Sequence, residues 1–345
     1  MSRELGLATV RLEPTPRLAH TEYIDSDTIV SAVTGSPGNW LSNDAFVRAW
    51  DLDLLWHSQD GPTHWSTRGR TTDLGHAAYV AGGTDQRPSA PSPFNDLDEV
   101  LAFDPVTEYG LENAAALAAH YQAVWQRGQD AHPTAVFTGG YYKTLITGAL
   151  ESFGWDWLLL AATDPDGFDA LMERYLQFTL HHYRAWAKTS CEVFISHDDI
   201  VWGAGPFMKP AIYRRSVLPR LAELWRVLKA EGKKVLWCCD GNCSMFLDEM
   251  LSAGADGVII EPCVPLEPLV ARWGSSKVIV GSKVDCRTMA FGAPEAVEAE
   301  VDATLPLAHR CPGFVFAVGN HIPDNVPVAT ANRYVERLRQ GWTRT

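Results

Sequence analysis

What the 345 residues lack narrows the field first. No apolar run approaches the roughly 18 residues that a membrane-spanning helix needs. Stretches such as Trp157–Ala162 stop far short, and the opening MSRELGLATV has no secretory apolar region, so a soluble cytoplasmic protein is expected. Basic residues are in deficit: Lys plus Arg number 29 against 42 Asp plus Glu, a formal charge of -13 that repels phosphate backbones and anionic lipid. Neither nucleic acid nor a membrane is therefore an expected partner. No GxGxxG or GxxxxGK[ST] follows any apolar run, which removes the main signature of the nucleotide-binding open sheets. Seven cysteines, an odd number in a chain without an export signal, argue against a full disulfide framework and leave free thiols or metal ligands.

What is present is a globular composition, 46% hydrophobic and 21% charged, long enough for two ordinary domains or for one α/β barrel with insertions. Short apolar runs recur at residues 192–196, 234–238, 257–261, 277–281 and 314–319, separated by stretches with helical spacing. One of these stretches sets Val217, Leu221, Leu224, Trp225 and Leu228 on one face; another opens at Pro294 and continues through Val297, Val301 and Leu305. Strands that are apolar on both faces and joined by helices belong to a parallel sheet covered on both sides. The expectation is an α/β fold, a (β/α)8 TIM barrel forming one domain over residues 1–345. An irregular N-terminal extension and loop-rich region fill residues 1–97, ending in the Pro- and Ser-rich QRPSAPSPFNDLDE. LDEVLAFDP and PTAVFTGGYY read as strands, and the stretch from Pro165 to Trp186 as a helix capped by the preceding Asp.

Reactive residues follow each of the five runs: His197, Asp198 and Asp199; Cys239, Asp240, Gly241, Asn242 and Cys243; Glu261 and Cys263; Lys283, Asp285 and Cys286; Asn320 and His321. In a parallel barrel all strands point the same way, so these positions share one rim, where barrel active sites are built. Alternation along an extended chain makes His197 and Asp199 one pair and Cys238 and Asp240 another. Asp199, Asp240, Glu261 and His321 are the candidate catalytic residues; His197, Tyr142 and Asn320 are the candidate substrate contacts. Three carboxyls at one mouth would repel, and one of them is expected to hold a proton near neutrality. Each signal has a plainer reading. An acid after a strand, such as Asp198 or Asp285, serves as a helix cap. Cys238 and Cys239 serve as small gap-fillers, and Cys243 opens the next helix and packs it. His181 and His182 lie mid-helix as satisfied or surface imidazoles. The 13 Trp exceed what the core needs, so some of them would wall a flat pocket.

Assembled in order, these pieces resemble the uroporphyrinogen decarboxylase superfamily, which also contains methyltransferases acting on corrinoid cofactors. The pattern runs from Asp198-Asp199 through Gly203, Gly205 and Pro219 to Cys239-Asp240-Gly241-Asn242 and Gly254-Ala255-Asp256. It continues through Glu261-Pro262, Gly281 and Gly319-Asn320-His321 to Pro327 and Asn332, covering residue 135 onward, with a looser match over Arg17 to Gly35. The resemblance implies a (β/α)8 barrel. The decarboxylases' Arg-rich N-terminal motif has no counterpart except the pair Arg68 and Arg70, so a true porphyrinogen decarboxylase is not expected. The methyltransferase branch holds zinc through a His-x-Cys pair and a later Cys; here those positions carry Cys238, Asp240 and Asn320. The implied metal set is Cys238, Asp240 and the neighbouring His321, with zinc a possible cofactor. The implied activity moves a methyl group from a small methoxy or methylthio compound to a corrinoid, cobalamin bound directly or on a partner protein. A rim acid or a metal would activate the leaving heteroatom in this O-demethylase-type reaction. Two alternatives stand beside it. One is a cofactor-independent decarboxylase of a small carboxylated substrate, using Lys283, Arg287 or Lys143 as its cation; the other is a non-catalytic barrel that binds a small molecule.

Overall fold

Short segments of two to five residues, too short for helices and mostly apolar, become the staves of a closed parallel barrel. The computed structural model describes residues 2–72, 74, 78–80, 82–86 and 90–344. Its staves are β1 (Ala19–His20), β2 (Leu54–Leu55), β3 (Val136–Phe137, continuing as Gly139–Tyr141), β4 (Val193–His197), β5 (Lys234–Cys238), β6 (Gly257–Ile259), β7 (Val278–Gly281) and β8 (Phe314–Phe316). Neighbours pair in parallel from β2 round to β8, and β8 pairs with β1. The Asp53 amide closes the ring by donating to the His20 carbonyl at 2.8 Å. This is the expected (β/α)8 barrel, and the irregular first third supplies two of its eight staves.

Each stave buries both faces. The inward positions Val193, Ile195, Leu236, Ile259, Val278, Val280 and Val315 fill the lumen, and α1 (Arg3–Val10) seals the bottom with Leu5, Leu7 and Val10. Burying an aliphatic side chain of this size contributes about 1.5–3 kcal/mol, so the lumen is a stabilising core and not a channel. The outward positions, including Phe194, Trp237, Val258, Ile279 and Phe314, pack beneath the helical shell. That shell includes α2 (Ala114–Ala131), α3 (Ile146–Phe153), α4 (Pro165–Ala187), α5 (Leu218–Ala230), α6 (Leu247–Ala253), α7 (Leu266–Trp273), α8 (Cys286–Phe291), α9 (Pro294–Ala308) and α10 (Val328–Gly341). As expected from sequence, α4 is capped by Asp164, whose carboxylate accepts from the Asp166 and Gly167 amides.

Two local expectations are corrected. LDEVLAFDP is not a strand: Leu97–Ala102 is helical, because Asp96 caps the Glu99 amide at 2.9 Å and Asp98 and Glu99 fill an acidic first turn. Cys243 does not open the helix after β5. The Asn242 amide is held by the Trp202 carbonyl at 2.9 Å, and the chain keeps turning until Leu247. Of the Pro- and Ser-rich stretch, residues 87–89 lie outside the described residues. All seven cysteines are free. Among the described residues no helix is long and apolar enough to cross a membrane.

Candidate functional site

The rim chemistry starts from register. Cys238 of β5 lies directly beside His197 of β4, and registered neighbours in a parallel sheet face the same side, here the lumen. Two residues beyond Cys238, the same parity carries Asp240 inward. One ligand atom from each of His197, Cys238 and Asp240 lies within 4.8 Å of the other two, and among the described residues this is the trio that could hold a metal ion. Two members of the expected metal set, Cys238 and Asp240, are in this trio, and the third, His321, is not. Asn320 adopts a left-handed backbone (φ 65°) that turns the chain off the path of β8. The His321 Nδ1 then rests against Asn320 Oδ1, and its ring meets the edges of Tyr23 and Tyr79.

The trio suits a borderline metal. Nitrogen, sulfur and carboxylate oxygen are zinc's ordinary donors, and three protein ligands leave one tetrahedral position for a substrate atom. His197 Nδ1 is buried and, among the described residues, has no hydrogen-bond partner. Its Nε2 bonds Asp199 Oδ1 at 3.1 Å, the carboxylate-to-imidazole support that metal-bound histidines use. Burial pushes the Cys238 thiol well above its ordinary pKa, and the negative charges of Asp240, Asp199 and Glu261 push it further. A cation at the trio would favour the thiolate.

Two carboxylates act as hubs. Asp199 also accepts from the Asp240 amide at 3.0 Å and from the Tyr142 hydroxyl at 3.2 Å, and the Tyr142 ring meets His197 edge-on at 4.6 Å. Tyr142, expected as a substrate contact, is 3% exposed and stands behind Asp199. Glu261 accepts from the Gly241 amide at 2.8 Å and from Asn320 Nδ2 at 2.7 Å, tying the exits of β5, β6 and β8 together. The Cys263 thiol points at the same carboxylate from 3.7 Å; burial and Glu261 raise its pKa to about 12. Gly241 holds φ at +90°, and an added Cβ would lie 2.6 Å from the Trp202 backbone, so only glycine admits this close approach. The two plain acids are caps. Asp198 is fully buried, accepting from the Ile146 and Thr147 amides at the start of α3, and Asp285 caps α8 through the Arg287 amide.

Above the trio, rings form a belt: Trp56 lies 6.2 Å from His197 and 6.0 Å from Tyr23, and Tyr23 and Tyr79 lie 6.2 and 5.5 Å from His321. Beside them a cavity of about 210 Å³ is lined by Tyr79, Glu261, Asp285, Arg287 and Asn320, among others. Sequence reasoning missed Tyr23, Trp56 and Tyr79. The first two follow staves of only two residues, so the rule that located the other rim residues had no visible strand to act on. Lys143 is buried between Asp60 (3.6 Å) and Glu151 (3.5 Å), and Lys283 pairs with Glu267. Arg70 is held by Glu108 and lies over Phe94. Of the cations considered, Arg287 alone lines the cavity.

A closed parallel barrel whose polar groups collect where the staves end defines the class of protein. The chain belongs to the uroporphyrinogen decarboxylase family: the family described as "Uroporphyrinogen decarboxylase (URO-D)" matches residues 78–341. Among curated relatives it is 28% identical over 173 residues to "Uroporphyrinogen decarboxylase" of Streptomyces avermitilis, covering 50% of this chain and 47% of that one. It is 27% identical over 204 residues to the protein of that name from Geobacter sulfurreducens, covering 57% of each. The chain thus spans about half the length of the curated relatives it matches. Over the whole fold it is similar to a solved "methyltransferase from Methanosarcina mazei", with a TM-score of 0.68, 15% identity and 99% coverage of both chains.

Proposed function

We propose that this chain is a cytoplasmic methyltransferase of the family, moving a methyl group from a small methoxy or methylthio compound to a corrinoid on a partner protein. The trio of His197, Cys238 and Asp240 carries the reading, with His197 Nδ1 buried and lacking a hydrogen-bond partner among the described residues. The whole-fold likeness to a methyltransferase supports it. A zinc ion held there would supply Lewis acidity to the donor's oxygen or sulfur, with the corrinoid as methyl acceptor.

The chain's own residues do the positioning. Asp199 accepts from His197 Nε2, which fixes the ring and leaves the lone pair on Nδ1. Glu261 holds the loop that carries Asp240 through the Gly241 amide and lines the cavity. His321 braces Asn320 and completes the ring wall that keeps water from the donor. The cavity has no room for a corrin macrocycle, so the acceptor meets the donor at the opening. Tyr23, against His321, and Trp202, whose backbone meets Gly241, are exposed large apolar side chains beside the site. Such a rim fits a protein-borne corrinoid.

Decarboxylation is the second reading, favoured by the names of the curated relatives and by Arg287 in the cavity. One assay separates the two. Full-length protein, loaded with zinc, is mixed with reduced cobalamin and a panel of methoxy and methylthio acids, and the corrinoid spectrum and released carbon dioxide are followed together. A donor-dependent change in the corrinoid spectrum supports methyl transfer. Carbon dioxide without that change replaces it with decarboxylation, and neither signal leaves a binding barrel.

A further inference from the structure

Most arginines whose partners are seen here are neutralised at close range. Arg17 holds Asp53 at 2.7 and 2.8 Å, Arg337 holds Asp302 at 2.7 Å through two nitrogens, and Arg214 holds Glu249 at 2.7 Å. Arg287 differs. Its Nε donates to the Gly83 carbonyl at 2.6 Å, which fixes the plane of the guanidinium. Its Nη1 meets the Asp285 oxygens only at 3.4 and 3.5 Å, well beyond the roughly 2.7–2.9 Å of a charge-assisted hydrogen bond. That carboxylate is already committed to the Arg287 backbone amide at 2.7 Å as the cap of α8. The fork is therefore oriented but lacks a tight carboxylate among the described residues, and it lines the mouth cavity.

The far side of the cavity is Asn320 and Glu261. Glu261 holds the Gly241 amide, one residue from Asp240, so this wall of the cavity is tied to the loop that carries the trio's aspartate. At about 210 Å³ it lies below the usual range for drug-sized ligands and suits a small molecule. Resting on the reading that this mouth takes the methyl donor, we propose that Arg287 is its specificity residue. It selects small donors that bear a carboxylate, gripped by the planar fork while the methoxy or methylthio end reaches the trio. Glu261 and Asp285 line the same space and repel any anion that does not engage the fork, which makes the recognition directional.

The test is a binding measurement that needs no turnover. Calorimetric titrations of the full chain with 3-methoxypropanoate and with 3-methoxypropanamide are compared for wild type, Arg287→Gln and Arg287→Lys, with melting curves confirming that each is folded. Wild type is expected to prefer the acid by about tenfold. Arg287→Gln should lose that preference with the amide unchanged, and Arg287→Lys should regain part of it. Equal binding of acid and amide by wild type, equal weakening of both by Arg287→Gln, or no binding of either probe overturns the proposal. The second outcome would reduce Arg287 to a peg for Gly83. Acid selectivity in a protein that transfers no methyl group would overturn the methyltransferase reading and leave Arg287 as an anion anchor.

Discussion

The lumen and the rim of this barrel are built from the same staves at the same inward parity, yet their chemistry is opposite. On β4 the inward series runs Val193, Ile195, His197; through β5 and into the loop after it, the series runs Leu236, Cys238, Asp240; from β6 onward it runs Ile259, Glu261. One two-residue step separates a sealed aliphatic layer above α1 from a layer that meets loops and a cavity. Cys238 sits on the boundary, packed on the lumen and offering its sulfur to the rim. The difference teaches that stability and reactivity are stacked along the strands, so substitutions two residues apart should fail in different ways.

The largest effect is expected in the lower layer. Leu236→Ala should cost about 2–5 kcal/mol of unfolding free energy, read by denaturant titration, because the filled lumen cannot collapse around the lost volume. Its metal stoichiometry should match wild type; loss of metal at unchanged stability would erase the distinction between the layers. Next comes Asp199→Asn, which keeps the shape but removes the carboxylate behind His197. Metal affinity, measured by chelator competition, should fall by about 10–100-fold while stability in the metal-free form changes little.

The smallest effect lies away from both layers. His182 on α4 is fully buried against Tyr121, and burial lowers its pKa from 6.5 to about 3; His57 is likewise lowered to about 4. Between pH 6.5 and those values the unfolded chain binds more protons than the folded one. Stability should therefore fall as the pH falls through that window, on the order of 1 kcal/mol per pH unit for each group. His182→Gln should flatten the profile of the metal-free protein, and an unchanged slope would assign the acid sensitivity to the rim instead.

The legible and the illegible parts divide along the same line. The five later staves were visible because runs such as KVLWC and KVIVG are apolar on both faces, and the rim acids followed from where those runs end. β1 and β2 were not visible: two residues carry no period, and only the pairing of Ala19 with Val315 and Leu54 with Val136 makes them staves. Asp198 and Asp285 behaved as capping acids do. The assignment of Cys238 and Asp240 to one face rested on alternation alone, whereas their neighbour depended on register. A one-residue slip between β4 and β5 would have faced His197 away, and no single-strand pattern encodes that alignment. His321 was chosen instead because it stands next to Asn320 in the chain.

The central claim, that His197, Cys238 and Asp240 share one metal ion, is tested most directly by replacing zinc with cobalt(II) and recording its absorption. Wild type should bind one equivalent and show a thiolate-to-cobalt band; Cys238→Ser should abolish the band, His197→Gln should weaken binding, and His321→Gln should leave both intact. A wild-type protein that takes up no cobalt, or a band that survives Cys238→Ser, would contradict the account.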